Sequence, residues 1–133
     1  MIRSLVLAIP LVLLAAPALA GDADGVDCKN ALTQFAMDVC AGRDFDAADE
    51  KLNVVYAKAL AAQFDDATRE KFKATERAWI KFRDAQCDHA AATFEGGSMQ
   101  PQVHLECLTR LTNARVKELQ DYLACEQANG VCE

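Results

Sequence analysis

Apolar residues recur at three- and four-residue steps along most of the chain. Phe45, Ala48, Leu52, Val55, Tyr56 and Ala59 share one face of a helix predicted from about Thr33 to Gln63. Gly42-Arg43-Asp44 marks a point where that helix is open to a break. A second helix is predicted from about Ala67 to Phe94, on Phe72, Trp79, Phe82, Cys87 and Ala90. Asp65 or Asp66 is placed to cap its start by accepting a backbone N–H bond. A third runs from about Gln102 to Ala124, on Val103, Cys107, Leu111, Ala114, Tyr122 and nearby leucines. Pro101 suits its first turn, where no N–H is needed. Alternating β-branched runs are absent, so no strand is expected. The predicted fold is all-α, a small disulfide-bonded antiparallel bundle or set of hairpins of three to four helices.

The N-terminus departs from this pattern. Arg3, the apolar run Leu5 to Leu14 and Ala18-Leu19-Ala20 read as the three regions of a secretory signal peptide spanning residues 1–20. The run is interrupted by Pro10 and Pro17 and is short for a bilayer span. No cysteine stands at the cleavage site, so no membrane anchor is expected after cleavage and the product is periplasmic or secreted. One domain, residues 21–133, is expected to remain. All six cysteines lie in it: Cys28, Cys40, Cys87, Cys107, Cys125 and Cys132. An even count in a small exported domain reads as a disulfide framework. There is no C-x-x-C pair and only His89 and His104 could assist a metal, so no metal or cofactor is expected.

Between the second and third helices, Glu95-Gly96-Gly97-Ser98-Met99-Gln100 forms a turn with two glycines free to take positive φ. Cys87 and Cys107 are equidistant from Gly97, so an antiparallel pair folded there sets them face to face. Cys125 and Cys132 flank the turn signal Asn129-Gly130, which favours a local bridge. Cys28 and Cys40 would stand about 18 Å apart in one continuous helix, at 1.5 Å per residue. They can bond if Cys28 lies in a lead-in folded back along a helix starting at Thr33. These pairs, 28–40, 87–107 and 125–132, are the expected ones, although spacing alone leaves the connectivity open.

Folding the first two helices about Asp66 brings Asp49 opposite Arg83 and Asn53 opposite Trp79. Asp49, Asn53 and Tyr56 share a stripe with Leu52, while Arg83 shares one with Trp79 and Arg115 one with Leu111. Asp49, Asn53, Arg83 and Arg115 thus read as an interhelical polar network that fixes helix register. The competing reading is a polar binding site between helices.

Charge and composition narrow the function. Against 14 Lys+Arg stand 20 Asp+Glu, a formal charge of -6 that argues against nucleic-acid binding. Beyond the leader there is one serine, Ser98, and no G-x-S-x-G elbow. There is no H-E-x-x-H, phosphate-binding glycine loop or haem-attachment motif, and bridged cysteines leave no thiol nucleophile. Cys87-Asp88-His89 reads as a solvent-facing histidine beside a structural cysteine. The Asp65-Asp66 and Asp44/Asp46/Asp49 carboxylates do not follow the EF-hand ligand order. No catalytic residues are expected.

Several of these segments carry a resemblance. Asp27-Cys28-Lys29-Asn30-Ala31-Leu32-Thr33-Gln34 with Cys40-Ala41 resembles the opening of the LprI-like lysozyme-inhibitor domain of secreted bacterial proteins. The pattern continues in Ala48-Asp49-Glu50-Lys51-Leu52-Asn53-Val54-Val55-Tyr56. It is clearest from Glu76 through Trp79 and Arg83 to Cys87, with Glu76 where the family pattern suggests glutamine. It extends through Gly96-Gly97-Ser98, Cys107 and Leu111 to Leu119, so it spans about Asp27 to Leu123 and leaves Cys125 and Cys132 in a short C-terminal extension.

The resemblance implies a small helical disulfide-bonded domain that restrains a lysozyme without catalysis. An acidic protein suits a cationic lysozyme, or another cationic protein, as partner. Glu95, Gly97 and Ser98 in the turn are the candidate binding residues, against the plain reading of an interhelical loop. The alternative function is a periplasmic binding or interaction module in envelope maintenance, with the polar network as its site.

Overall fold

The computed structural model describes residues 25–128 and Cys132. The expected signal peptide and the Asn129-Gly130 turn lie outside the described residues. Three helices follow in order: α1 (Gln34–Ala61), α2 (Asp66–Ala91) and α3 (Gln100–Gln127), with a 3-10 turn, Ala92–Phe94, closing α2. There is no strand among the described residues, and the fold is all-α.

Local chemistry sets each start. Thr33 is extended and its side chain accepts the Ala36 N–H, which opens α1. Asp65, not Asp66, caps α2: its carboxylate accepts the Thr68 N–H at 2.7 Å. The Thr68 hydroxyl in turn accepts the Asp65 N–H at 3.1 Å, completing a reciprocal capping box. Those bonds, the Thr68 N–H first and its hydroxyl second, hold the Asp65 carboxyl below its ordinary range. Pro101 sits in the first turn of α3.

The break expected at Gly42 does not occur, and α1 is continuous through it. A mid-helix glycine costs only about 1 kcal/mol against alanine. Buried Ala41 and the bridged Cys40 on one side, and Ala48 on the other, hold the segment helical.

Two bonds define the helix directions. Gln34 Nε2 donates to Gln102 Oε1 at 3.0 Å near one end, and Gln63 Nε2 donates to the Tyr122 hydroxyl at 3.0 Å near the other. α1 and α3 therefore run parallel, and α2 runs antiparallel to both. α3 packs chiefly on α1 and secondly on α2, while the α1 and α2 backbones stay farther apart and meet through side chains such as the stacked Tyr56 and Phe72 rings. The main core joins Leu52, Val55 and Ala59 of α1 to Val116 and Leu119 of α3, with Tyr56, Phe72, Trp79, Tyr122 and Leu123 packed around them. Each fully buried aliphatic side chain of this kind contributes roughly 1.5–3 kcal/mol. A smaller cluster of Cys87, Cys107 and Leu108 gathers Phe45, Ala90, Leu105 and Leu111.

Two positions expected on the inner stripes face outward. Phe82 is 56% exposed because its neighbour Arg83 occupies the inward position, and adjacent helical residues cannot share it. Ala114 is also exposed, since the buried seam of α3 runs through Leu108, Thr112, Val116 and Leu119. Disulfides join Cys28 to Cys40, Cys87 to Cys107 and Cys125 to Cys132. The first ties the lead-in to α1, where Arg43 Nη1 also donates to the Val26 carbonyl at 2.9 Å.

Candidate functional site

The described surface offers two places built from polar side chains. The first is the turn between α2 and α3. Glu95, Gly97 and Ser98 are all exposed there, as is every residue from Ala92 to Met99. Backbone bonds brace it: Glu95 N–H to Ala92 O at 3.2 Å, Gly97 N–H to Phe94 O at 2.9 Å and Gln100 N–H to Gly97 O at 3.2 Å. The Gln100 side-chain oxygen accepts the Gly96 N–H at 3.0 Å. Only Gly96 takes positive φ, at 73°; Gly97 does not, contrary to expectation. At Gly97 the limit is space, because an added Cβ would stand 3.1 Å from the Phe94 carbonyl oxygen.

Beside the turn lies a groove of roughly 490 Å³ walled by Asp88, Glu95, Gln100 and His104. His104 Nε2 lies 3.1 Å from Asp88 Oδ1 across the α2–α3 pair, whereas His89 is exposed. The Cys87–Cys107 bridge anchors both helices just below, with Cys87 fully buried.

The second place is the polar network at mid-height of the bundle. Arg83 is 8% exposed. Its Nε and Nη2 both lie 2.9 Å from Asp84 Oδ1, and its Nη1 lies 3.4 Å from Asp49 Oδ1 and from Thr112 Oγ1. The guanidinium carbon sits 5.3 Å from the Phe45 ring centroid and 5.5 Å from that of Trp79, so stacking also fixes it. Asn53 donates to Asp49 Oδ2 at 3.1 Å. Asp49, Asn53 and Arg83 are thus brought together.

Arg115 is not joined to them directly. It donates through Nε at 3.0 Å and Nη2 at 2.8 Å to Glu76 Oε2, and reaches Glu118 at 3.0 Å. Trp79 stands between the two arginines, 5.8 Å from the Arg115 guanidinium carbon. Glu76, Asp84 and Thr112 complete the network and were not anticipated as members. Glu76 had a signal, since it shares the helix stripe of Phe72, Trp79 and Arg83. No buried side-chain nitrogen or oxygen is left without a partner among the described residues. No group of three or more His, Cys, Asp or Glu is arranged to hold a metal ion among them.

These features define a small disulfide-clipped helical domain with one polar cluster beside the α2–α3 turn and another inside the bundle. The chain belongs to the LprI family: the model described as "Lysozyme inhibitor LprI" matches residues 27–119. It is also similar to the uncharacterized protein R02472 of Rhizobium meliloti (strain 1021), 37% identical over 109 residues that cover 73% of this chain and 78% of the relative. No solved structure matches the chain. No described helix is long and apolar enough to cross a membrane.

Proposed function

We propose that this protein is an exported, non-catalytic inhibitor that binds a cationic lysozyme through the α2–α3 turn. Family membership over residues 27–119 is the observation that carries the reading. The turn supplies the means. Its exposed residues are braced by backbone bonds and anchored by Cys87–Cys107, which reduces the ordering entropy of binding. Glu95 and Asp88 line one groove there, a pair of carboxylates suited to a basic side chain of the partner. The formal charge of -6 steers encounter with a basic protein. Removal of residues 1–20 would deliver the domain to the periplasm or medium.

Glu95→Ala/Ser98→Ala in the oxidised protein is the test, titrated against several lysozyme types in a cell-wall lysis assay at low and moderate salt. The expected result is dose-dependent inhibition by the parent that survives moderate salt and is lost in the variant. Inhibition retained by the variant would move the contact elsewhere. No inhibition by the parent, or an effect abolished by salt, would remove the lysozyme reading.

A further inference from the structure

α1 and α3 run parallel with Gln34 bonded to Gln102, so their first turns lie level with each other and with the α2–α3 turn. That end of the bundle differs from the rest in two independent ways.

The first is apolar exposure. Eight large apolar side chains are exposed among the described residues, and four of them, Leu32, Phe35, Phe94 and Met99, stand at this end. The other four are dispersed. Phe64 occupies the connection at the opposite end, Val54 lies on α1, and Ile80 and Phe82, two residues apart on α2, point to different sides. Met99 is itself the cap residue of α3, and Leu32 precedes the Thr33 cap of α1, so both helix starts carry exposed apolar groups. Apolar side chains gathered in this way mark an interaction site, whereas single scattered ones do not.

The second is charge. Residues 30–42 and 88–109 contain no Lys or Arg but four carboxylates, Asp38, Asp88, Glu95 and Glu106. Lys29, in the lead-in, is balanced by Asp27, whose carboxylate accepts the Lys29 N–H at 2.9 Å. Asp38 and Glu106 accept bonds from the neutral amides of Gln34 and Gln102 at 2.9 and 2.7 Å, Asp88 meets His104, and Glu95 is exposed. None of the four is paired with Lys or Arg among the described residues, in contrast to Asp49, Glu70, Glu76 and Asp84 elsewhere. Much of the net charge of -6 therefore sits at one end.

We propose that this whole end, and not the turn alone, docks onto a basic protein surface, with Leu32, Phe35, Phe94 and Met99 as the apolar contact and the four carboxylates as its acidic rim. The charge selects the occupant. A second copy would set four carboxylates against four, and an anionic bilayer would repel them, whereas a basic partner attracts them. The apolar residues supply affinity at the centre of such a contact, and the rim supplies encounter rate. The proposal rests on the lysozyme reading for the partner's identity and extends the contact beyond Glu95 and Ser98.

The test uses the oxidised protein and the lysozymes of the lysis assay, with an NMR titration beside it. Saturable shifts should fall on the amides of residues 32–38 and 92–106. Leu32→Ser/Met99→Ser should weaken binding and inhibition by about tenfold or more without lowering the melting temperature, since both side chains are exposed and serine suits a helix cap. Phe64→Ser, at the far end and 95% exposed, should behave as the parent. Asp38→Asn/Glu106→Gln should slow association by about threefold or more at low salt, and much less at moderate salt. A Leu32→Ser/Met99→Ser variant that folds and inhibits like the parent overturns this surface and leaves the lysozyme reading standing on the turn. Shifts confined to another face, or unchanged association of the Asp38→Asn/Glu106→Gln variant, also overturn it. Saturable shifts at this end without inhibition would support the surface and remove the inhibitor reading. Neither shifts nor inhibition would overturn both.

Discussion

The Arg115–Glu76 pair offers the most quantitative test of how the bundle is held. The Glu76 side chain is only 8% exposed and that of Arg115 13%, and both Arg115 donors converge on Glu76 Oε2. Replacing Arg115 by methionine keeps an unbranched stem of similar length against Trp79 and removes the charge. The carboxylate left behind has no other hydrogen-bond donor among the described residues. Breaking a buried pair in this way costs about 3–5 kcal/mol. Glu76 also borders a cleft between α1 and α2, through which water can reach it, so the lower end, about 3 kcal/mol, applies. The lost contact to Glu118, whose side chain is 61% exposed, adds less than about 1 kcal/mol. For a domain near 100 residues, 3 kcal/mol lowers the melting temperature by roughly 12–24 °C.

Glu76→Met/Arg115→Met removes both charges together and should recover more than half of that loss, since no unpaired ion remains. Denaturant unfolding of the parent, both single variants and the double, under oxidising conditions, yields the coupling energy. An Arg115→Met cost below about 1 kcal/mol, or additive single and double effects, would refute the assignment of this pair as a buried, mutually dependent unit.

Two further outcomes follow from the backbone and the caps. Gly42→Ala should raise stability by about 0.5–1 kcal/mol, because the position is helical and its Cβ meets open space. Gly96→Ala, at φ 73°, should lower it by about 1–2 kcal/mol; thermal melts of the two variants moving in the same direction would contradict this. The folded Asp65 carboxyl titrates below its ordinary value of 3.8, so its stabilisation is complete above that pH and is lost as pH falls through the folded value. Asp65→Asn keeps a capping oxygen that does not titrate, so the parent's advantage in melting temperature should shrink as the pH is lowered through the range below 3.8. A difference constant across that range would count against the cap as the source.

Much of this was legible in the sequence because it is local. Helical steps delimited the three helices, and Asp65 followed by Thr68 is a short-range capping arrangement. The equal distances of Cys87 and Cys107 from Gly97 need only one turn to become a contact. The same arithmetic brought Asp49 to Arg83. The parallel docking of α1 on α3 was not legible, since no periodicity records which of two apolar faces meets a third. Helical spacing also left two neighbours, Phe82 and Arg83, both assigned to inner stripes, although only one of them can face inward. The guanidinium takes the inner position because Asp84, Asp49 and the Phe45 and Trp79 rings receive it. Arg115 could be placed on an inner stripe, yet its stripe does not name Glu76, which is 39 residues away. The turn residues Glu95 and Ser98 were legible as exposed, because a glycine-rich connection has few alternatives.

The three disulfides have a consequence for how the chain can come apart. Each closes a short loop of 12, 20 or 7 residues, and none joins α1 to the α2–α3 hairpin. Covalently the oxidised chain is a string of closed rings rather than a cage. The largest interface, between α1 and α3, is therefore secured only by noncovalent packing. α1 with its own ring can lift away, or be exchanged with that of another molecule through the connection at residues 62–65, without any thiol being released.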